Sequence, residues 1–438
     1  MIFQQRVDDD LGCASYLIGD EESGEAVVVD PAYEIDPYLE EAQRAGLRIT
    51  RVLETHTHAD HVSGHGRFAL EHGATVHVHP LAEPEFPFEP LADGQEIRVG
   101  ETVIRVLHTP GHRPEHCCFL VDGRLLTGDS LLVGDAARPD LAVEAREGAE
   151  GLYGSLKRLT ELPEETGVYP GHVAGSLCAT GISAERASTI GAELKTNRAL
   201  AYPDLQEFVA ATAAVSAPRP PTIERVVALN RGPFLGGPAP LEPLRSFDGQ
   251  VLDVRSAHEF AGGHVRGAIN IPLESSALGT KAGFVLDQEQ PIAIHASSPD
   301  DAERAASRLR AVGLLDLAGF LLEPAAPDRL EPIGLEELER LIAEDGVEVI
   351  DVREKDERDD GYIPESRHIP YRLVADFADE LANGRTVVTV CNSGARAAVA
   401  ASVLAGQGIP ARPLLDAGVP DWEKRGHSLT AFRRCGSD

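Results

Sequence analysis

The sequence predicts an α/β protein in three segments: a mixed-sheet domain packed with helices, then two copies of a smaller module with a parallel sheet. Three observations carry this expectation. Two proline-rich stretches, "SAPRPPTIERVVALNRGPFLGGPAPLEPL" (216–244) and "EPAAPDRLEP" (323–332), read as linkers and leave segments 1–240, 245–322 and 333–438. The last two segments repeat each other without a gap. "VLDVRSAHEFAGGHVRGAINIP" (251–272) aligns with "VIDVREKDERDDGYIPESRHIP" (349–370), so that Asp253, Arg255 and Glu259 fall on Asp351, Arg353 and Glu357. In the first segment, several strand-like runs lead directly into histidine.

Taken in order, "RVLETH", "VIRVLHTPGH" and "GVYPGH" are β-branched runs that end on histidine, and "FLVDGRLLTGD" (119–129) is a hairpin with Asp122-Gly123 at its turn. Cys117 and Cys118 lie on the strand that enters this hairpin and are expected in the core. His77 and His79 share one face of "TVHVHP" without partner ligands and are expected to be structural. In the repeated modules, "GQVLDV", "VEVIDV" and "RTVVTV" read as buried strands, and "DAERAASRLRAVG" and "ARAAVAASVLAGQG" as helices stopped at Gly313 and Gly408. The acidic run "EKDERDD" (354–360) reads as a solvated face.

Composition narrows the function. A formal charge of −31 opposes nucleic acid or an anionic membrane as partner. No apolar run is long enough to cross a bilayer, and "MIFQQRVDDDLGCASY" has neither a basic nor an apolar leader segment. The six cysteines show no disulfide-framework spacing, so a reducing, cytoplasmic setting is expected. Eleven of the sixteen histidines precede residue 173, which places histidine chemistry in the first segment.

"HTHADH" (56–61) concentrates that chemistry. His56 and His58 point to one side of an extended chain, whereas Asp60 and His61 require the chain to curl, as in a loop leaving a strand. His112, Asp129 and His172 stand at three further strand ends. The set suits either two zinc ions, giving a hydrolase, or one iron with open positions, giving an oxygenase.

In this order "THTHADH", "TPGH", "TGDS" and "YPGH" resemble the metallo-β-lactamase superfamily, which implies an αββα sandwich with metal at one edge over residues 1–240. Within it, "TPGHRPEH" (109–116), "ARPD" (137–140) and "STIGAELKTN" (188–197) look most like the persulfide dioxygenases, which are similar to glyoxalase II but carry one iron. The resemblance implies one Fe(II) per chain on His56, His112 and Asp129. His58, Asp60, His61 and His172 would then orient ligands and water, or hold the second metal of a two-zinc centre. Cys178, Arg138 and Asp140 are candidate substrate contacts.

The third segment contains "VVTVCNSGARAAVAA" (387–401), a strand that ends on Cys391, a short loop and a helix. Loop amides, the helix N-terminus and Arg396 would favour an anionic sulfur there. The segment resembles an active rhodanese domain in its six-residue loop from Cys391 to Arg396 and in "DAGVPDW" (416–422), and departs from it at Tyr362 and Ala417. The middle copy keeps the "DVR…GHVRGAINIP" cradle but has no cysteine in "IAIHASSPDDAERAA" (292–306). Its cysteine position falls on Pro299 if arginines are matched, or near His295 if strands are matched.

The whole implies oxidation of a low-molecular-weight thiol persulfide by dioxygen to sulfite and thiol, coupled to rhodanese transfer between thiosulfate, sulfite and persulfide. Two copies of the chain could pair as a homodimer. The rival expectations are a two-zinc thioester hydrolase of glyoxalase II type and a non-catalytic sulfur carrier or scaffold.

Overall fold

A computed structural model describes residues 1–139, 144–173, 183–213, 218–323 and 328–432. The chain forms two compact units, residues 1–238 with 310–313, and 239–309 with 314–438.

In the first unit, one sheet runs β1 (Ile2–Val7), β2 (Ala14–Asp20), β3 (Glu25–Val29), β4 (Arg48–Leu53), β5 (Thr75–Val78) and β6 (Glu89–Pro90) in spatial order, and turns from antiparallel to parallel at β3. Strands β7 (Glu96–Val99), β8 (Thr102–His108), β9 (Cys117–Val121) and β10 (Arg124–Gly128) make the second sheet. A two-strand ribbon, β11 (Leu131–Leu132) and β12 (Asp135–Ala136), follows, after which β13 (Gly167–Pro170) and β14 (Ser188–Thr189) complete that sheet beside β10.

Alternation along the strands builds the layers. Tyr16, Ile18, Val27 and Val29 of the first sheet meet Ile104, Val106, Cys117 and Phe119 of the second in one core between the sheets. The intervening residues face outward. Leu17 and Val28 pack on Tyr38 and Ala42 of helix Asp36–Arg44, and Cys118 and Leu125 on Leu152 and Leu156 of helix Ala145–Leu159. The result is an αββα sandwich. Cys117 and Cys118 are both core residues, one in each layer. Val121 pairs with Arg124 across the expected hairpin, with Asp122 (φ 45°) and Gly123 (φ 71°) supplying the two left-handed residues of its turn.

The segment 216–244 departs from its reading as a linker: Thr222–Arg231 within it is a helix that buries Val226 and Asn230. The prolines flank it on both sides and the glycines follow it, so its ten residues carry nothing that breaks a helix.

The second unit contains two all-parallel, four-stranded sheets of identical topology. Their spatial orders are Ile269–Asn270, Gln250–Asp253, Ile292–His295, Leu317–Leu321, and Arg367–His368, Val347–Asp351, Thr386–Val390, Ala411–Pro413. Helices Pro299–Ala311 and Ala395–Gly406 are followed by Gly313 and Gly408 at positive φ, as their stop signals require. Among the described residues no helix is long and apolar enough to cross a membrane.

Candidate metal centre and cysteine loop

The polar residues of the metal centre all leave the ends of strands. His56 follows β4, His112 follows β8, Asp129 follows β10 and His172 follows β13. Two glycines permit the close approach. A Cβ at Gly128 would lie 2.7 Å from His116 Nε2, and one at Gly171 would lie 2.7 Å from Asp129 Oδ1.

His56, His112 and Asp129 bring one potential ligand atom each within 4.8 Å of one another, and all three are buried. In each, the remaining atom is committed to the protein. Thr55 Oγ1 donates to Asp30 Oδ2 (2.8 Å) and so accepts from His56 Nδ1 (2.9 Å). The Arg138 carbonyl can only accept, which makes His112 Nδ1 the protonated nitrogen (2.8 Å). Asp129 Oδ1 lies 2.7 Å from His172 Nδ1, and its backbone N–H donates to His116 Nε2 (3.0 Å). These contacts turn His112 Nε2 toward Asp129 Oδ2, 3.5 Å away. Asp129 Oδ2 is buried and accepts no hydrogen bond, a cost that a cation would remove. The donor set therefore fits a metal: two neutral imidazoles and one carboxylate, each oriented by a second group.

Electrostatics agree with that set. Burial, reinforced by neighbouring His58 and His112, holds His56 well below the usual histidine range. Burial likewise lowers His112, with Asp129 partly opposing. Burial would raise Asp129, but the charge and hydrogen bond of His172 outweigh it and keep the carboxyl ionised.

The other residues of "HTHADH" form two further clusters. Asp60 Oδ2 lies 2.7 Å from His172 Nε2 and accepts from the Cys13 thiol at 3.0 Å, and His61 Nδ1 is 3.4 Å from Asp60 Oδ1. The His58 ring lies between those of His56 and His61 (centroids 4.3 and 4.2 Å), with its Nε2 3.2 Å from both Asp30 Oδ1 and Glu54 Oε2. Burial opposes a charge on His58, yet those two carboxylates hold it well above the usual range. Glu54 stays ionised, burial being outweighed by His58 and His65, with its pKa lowered to about 2.

Asp30, Glu54, Thr55, His116 and Cys13 were not singled out by the sequence reading. Glu54 and Thr55 adjoin "HTHADH" and His116 closes "TPGHRPEH", whereas Asp30 and Cys13 carry no local signal, because their partners Thr55 and Asp60 are 25 and 47 residues away. Arg138 contributes its backbone carbonyl to His112, and its side chain is buried. Asp140 and Cys178 lie outside the described residues. His79 stacks on His108 (ring centroids 4.3 Å), and neither it nor His77 joins a ligand group among the described residues.

In the second unit, Cys391 ends strand Thr386–Val390 and is buried, and the Gly394 amide donates to its Sγ (3.1 Å). Arg396 forks onto Glu357 (2.5 and 2.6 Å), which also accepts from Asn392 Nδ2 (2.7 Å), so its charge is paired beside the sulfur. In the other copy, strand pairing matches Asp253 to His295 as it matches Asp351 to Val390. The next residue, Ala296, therefore stands where Cys391 does, beside His295 as the matching of strands expects and not at Pro299. The two copies also satisfy their equivalent aspartates differently. Arg358 reaches Asp351 (3.1 Å) and covers the Tyr362 ring (3.8 Å). At the matching positions Phe260 stacks on His264 (3.8 Å), and the strand residue His295 takes over the aspartate at 2.9 Å from Asp253.

Comparison with known proteins accords with this architecture. Residues 8–172 match the family model of the metallo-beta-lactamase superfamily, and 241–322 and 334–425 match that of the rhodanese-like domain. The chain is 31% identical over 227 residues to the mitochondrial persulfide dioxygenase ETHE1 of Bos taurus, covering 49% of this chain and 82% of that protein. It is also 34% identical over 163 residues to a hydroxyacylglutathione hydrolase of Maricaulis maris, covering 36% and 60%. The crystal structure of a metallo-beta-lactamase from Staphylococcus aureus superposes with a TM-score of 0.67 at 31% identity, covering 74% of this chain and 99% of that one. An αββα sandwich with a His/Asp metal site, ETHE1 relatives and two rhodanese-like modules together identify the chain as a sulfur-metabolism member of the metallo-beta-lactamase superfamily, related to the persulfide dioxygenases.

Proposed function

We propose that residues 1–240 form an Fe(II)-dependent persulfide dioxygenase, 245–322 a rhodanese-like module without a catalytic cysteine, and 333–438 a rhodanese acting through Cys391. The observation that carries the reading is the convergence of His56, His112 and Asp129, each with its second polar atom already engaged. Two imidazoles and one carboxylate are the facial set of non-haem iron oxygenases. Fe(II) bound there would supply the redox chemistry that joins dioxygen to sulfur. The protein's part is positional: Thr55, the Arg138 carbonyl and His172 fix the ligand orientations, and burial keeps the imidazoles neutral.

The overall conversion consumes a low-molecular-weight thiol persulfide, dioxygen and water, and yields the thiol, sulfite and two protons. Cys391 would carry sulfane sulfur between persulfide, sulfite and thiosulfate, with the Gly394 amide donating to its sulfur and Arg396 nearby. The reaction is set in the cytoplasm.

Similarity to the Maricaulis maris hydrolase favours a second reading, a two-zinc thioester hydrolase using His58, Asp60, His61 and His172 as well. Oxygen-electrode and sulfite assays on glutathione persulfide separate the two. The proposal expects one sulfite per dioxygen in Cys391→Ser, sulfite and thiosulfate together at one per dioxygen in wild type, and neither in His112→Ala. Thioester hydrolysis without oxygen uptake would overturn it.

A further inference from the structure

We propose that a narrow cavity beside β5 and the helix Thr222–Arg231 admits dioxygen to the metal centre by a route the persulfide does not share. The inference rests on the dioxygenase reading and adds an entrance for its second substrate.

The cavity has a volume of about 20 Å³. Its partly exposed end lies at His79, Pro84 and Arg231, and its buried end at His56 and His58. One passage thus joins the surface to the loop that carries the first metal-ligand candidate. A water-sized molecule needs about 10–15 Å³ of such space, so the cavity admits a diatomic gas and excludes a thiol persulfide.

The polar side chains along it direct their hydrogen bonds into the protein. Glu54 Oε1 accepts from Ser63 Oγ (2.5 Å) and lies 3.1 Å from His65 Nδ1, and the Ser63 oxygen accepts from the His65 amide (3.2 Å). Asn230 donates to the carbonyls of His58 and His61 and accepts from the Ser63 amide (2.8 Å). Glu115 Oε1 accepts from Arg113 Nε (2.7 Å) and from the Thr57 amide (3.2 Å). Glu54 Oε2 and both nitrogens of His58 are closed off from any water-sized molecule.

A buried water is held by two to four polar partners, and the inner cavity does not offer them. Its wall is mainly carbon, with Val78, Ala82, Pro84 and Phe86 among the lining residues. That wall is fixed in place, since the Phe86 ring lies 4.7 Å from that of Phe234 and 4.8 Å from that of His65. At the outer end Arg231 pairs with Glu83 (2.7 Å), which ties the end of the helix to the turn that carries Ala82. An apolar cavity without hydrogen-bonding partners stays dry and takes up small apolar guests, xenon among them. Dioxygen is such a guest. A separate entrance has a use, because a persulfide seated at the metal covers the approach by which it came.

Two measurements on the full chain test the entrance. Crystals pressurised with xenon should show the gas in this cavity. In the iron-loaded protein, Ala82→Leu extends a side chain into the passage at a distance in sequence from every ligand. It should raise the KM for dioxygen at least about fivefold, and leave the KM for glutathione persulfide and kcat at saturating oxygen within about twofold. Xenon absent from the cavity, a dioxygen KM unmoved in Ala82→Leu, or equal rises in both KM values would each overturn the proposal. Should Ala82→Leu fail to fold, Ala82→Val should shift the dioxygen KM in the same direction, and the xenon result on wild type still decides. Xenon in the cavity with no oxygen uptake at any oxygen pressure would sink the dioxygenase reading and leave a gas site standing.

Discussion

Thr55 hands a hydroxyl proton to Asp30 and receives one from His56 Nδ1, so a single small side chain sets which nitrogen of His56 is free. Supporting groups of this kind typically govern metal affinity by about 10–100-fold. Thr55→Val should therefore weaken iron binding by about that factor in a competition titration, and unchanged affinity would contradict the tautomer assignment. Glu357 plays a comparable part beside Cys391. Burial would raise its pKa, but the hydrogen bonds and charge of Arg396 outweigh that and hold it below the ordinary carboxylate range. A carboxylate depressed in the folded state contributes stability above its unfolded pKa of about 4.3 and loses it as pH falls through the folded value. Acid unfolding monitored below about pH 4 should thus be less steep in Glu357→Gln than in wild type. Identical acid profiles would show that the fork onto Arg396 adds nothing.

The two rhodanese-like modules show how one element is rebuilt around a fixed charge. Asp351 draws its second side-chain partner from the helix residue Arg358, whereas Asp253 has the strand residue His295 at 2.9 Å. Removing His295 would leave a fully buried Asp253 with Arg255 alone. His295→Val should cost about 1–3 kcal/mol in chemical denaturation, the usual charge for an under-satisfied buried group. Adding Phe260→Arg, which recreates the arrangement of the other copy, should recover part of the loss, and purely additive effects would refute the exchange. This exchange was invisible in the aligned sequences, because Phe260/Arg358 and His295/Val390 look like two unrelated differences. What was legible followed simple periodicity: the parallel strands, the alanine-rich helices with their glycine stops, and the strand ends carrying His56, His112, Asp129 and His172. What was not legible depended on distant partners. Asp30 meets Thr55 and His58, and Glu54 meets His65, only once β3 and β4 pair and the following loop curls. The helix Thr222–Arg231 was hidden by flanking prolines, although its Asn230 donates to the carbonyls of His58 (2.9 Å) and His61 (2.8 Å) and so pins the metal loop.

At the scale of the whole molecule, the metal centre and the cysteine loop occupy separate compact units, each with its own core. Their chemistries should therefore separate by mutation. Cys391→Ser should abolish thiosulfate:thiol sulfurtransferase activity and leave oxygen consumption within about twofold, and His112→Ala should do the reverse, as expected for sites built from separate sets of residues. Loss of both activities in either variant would contradict this independence. The central claim, one iron on three side chains serving a dioxygenase, is tested most directly by metal content and oxygen uptake measured on one sample. Protein reconstituted anaerobically with iron should contain one iron per chain and consume oxygen on addition of glutathione persulfide, releasing sulfite. Two zinc ions per chain, with no oxygen uptake after iron reconstitution, would contradict it.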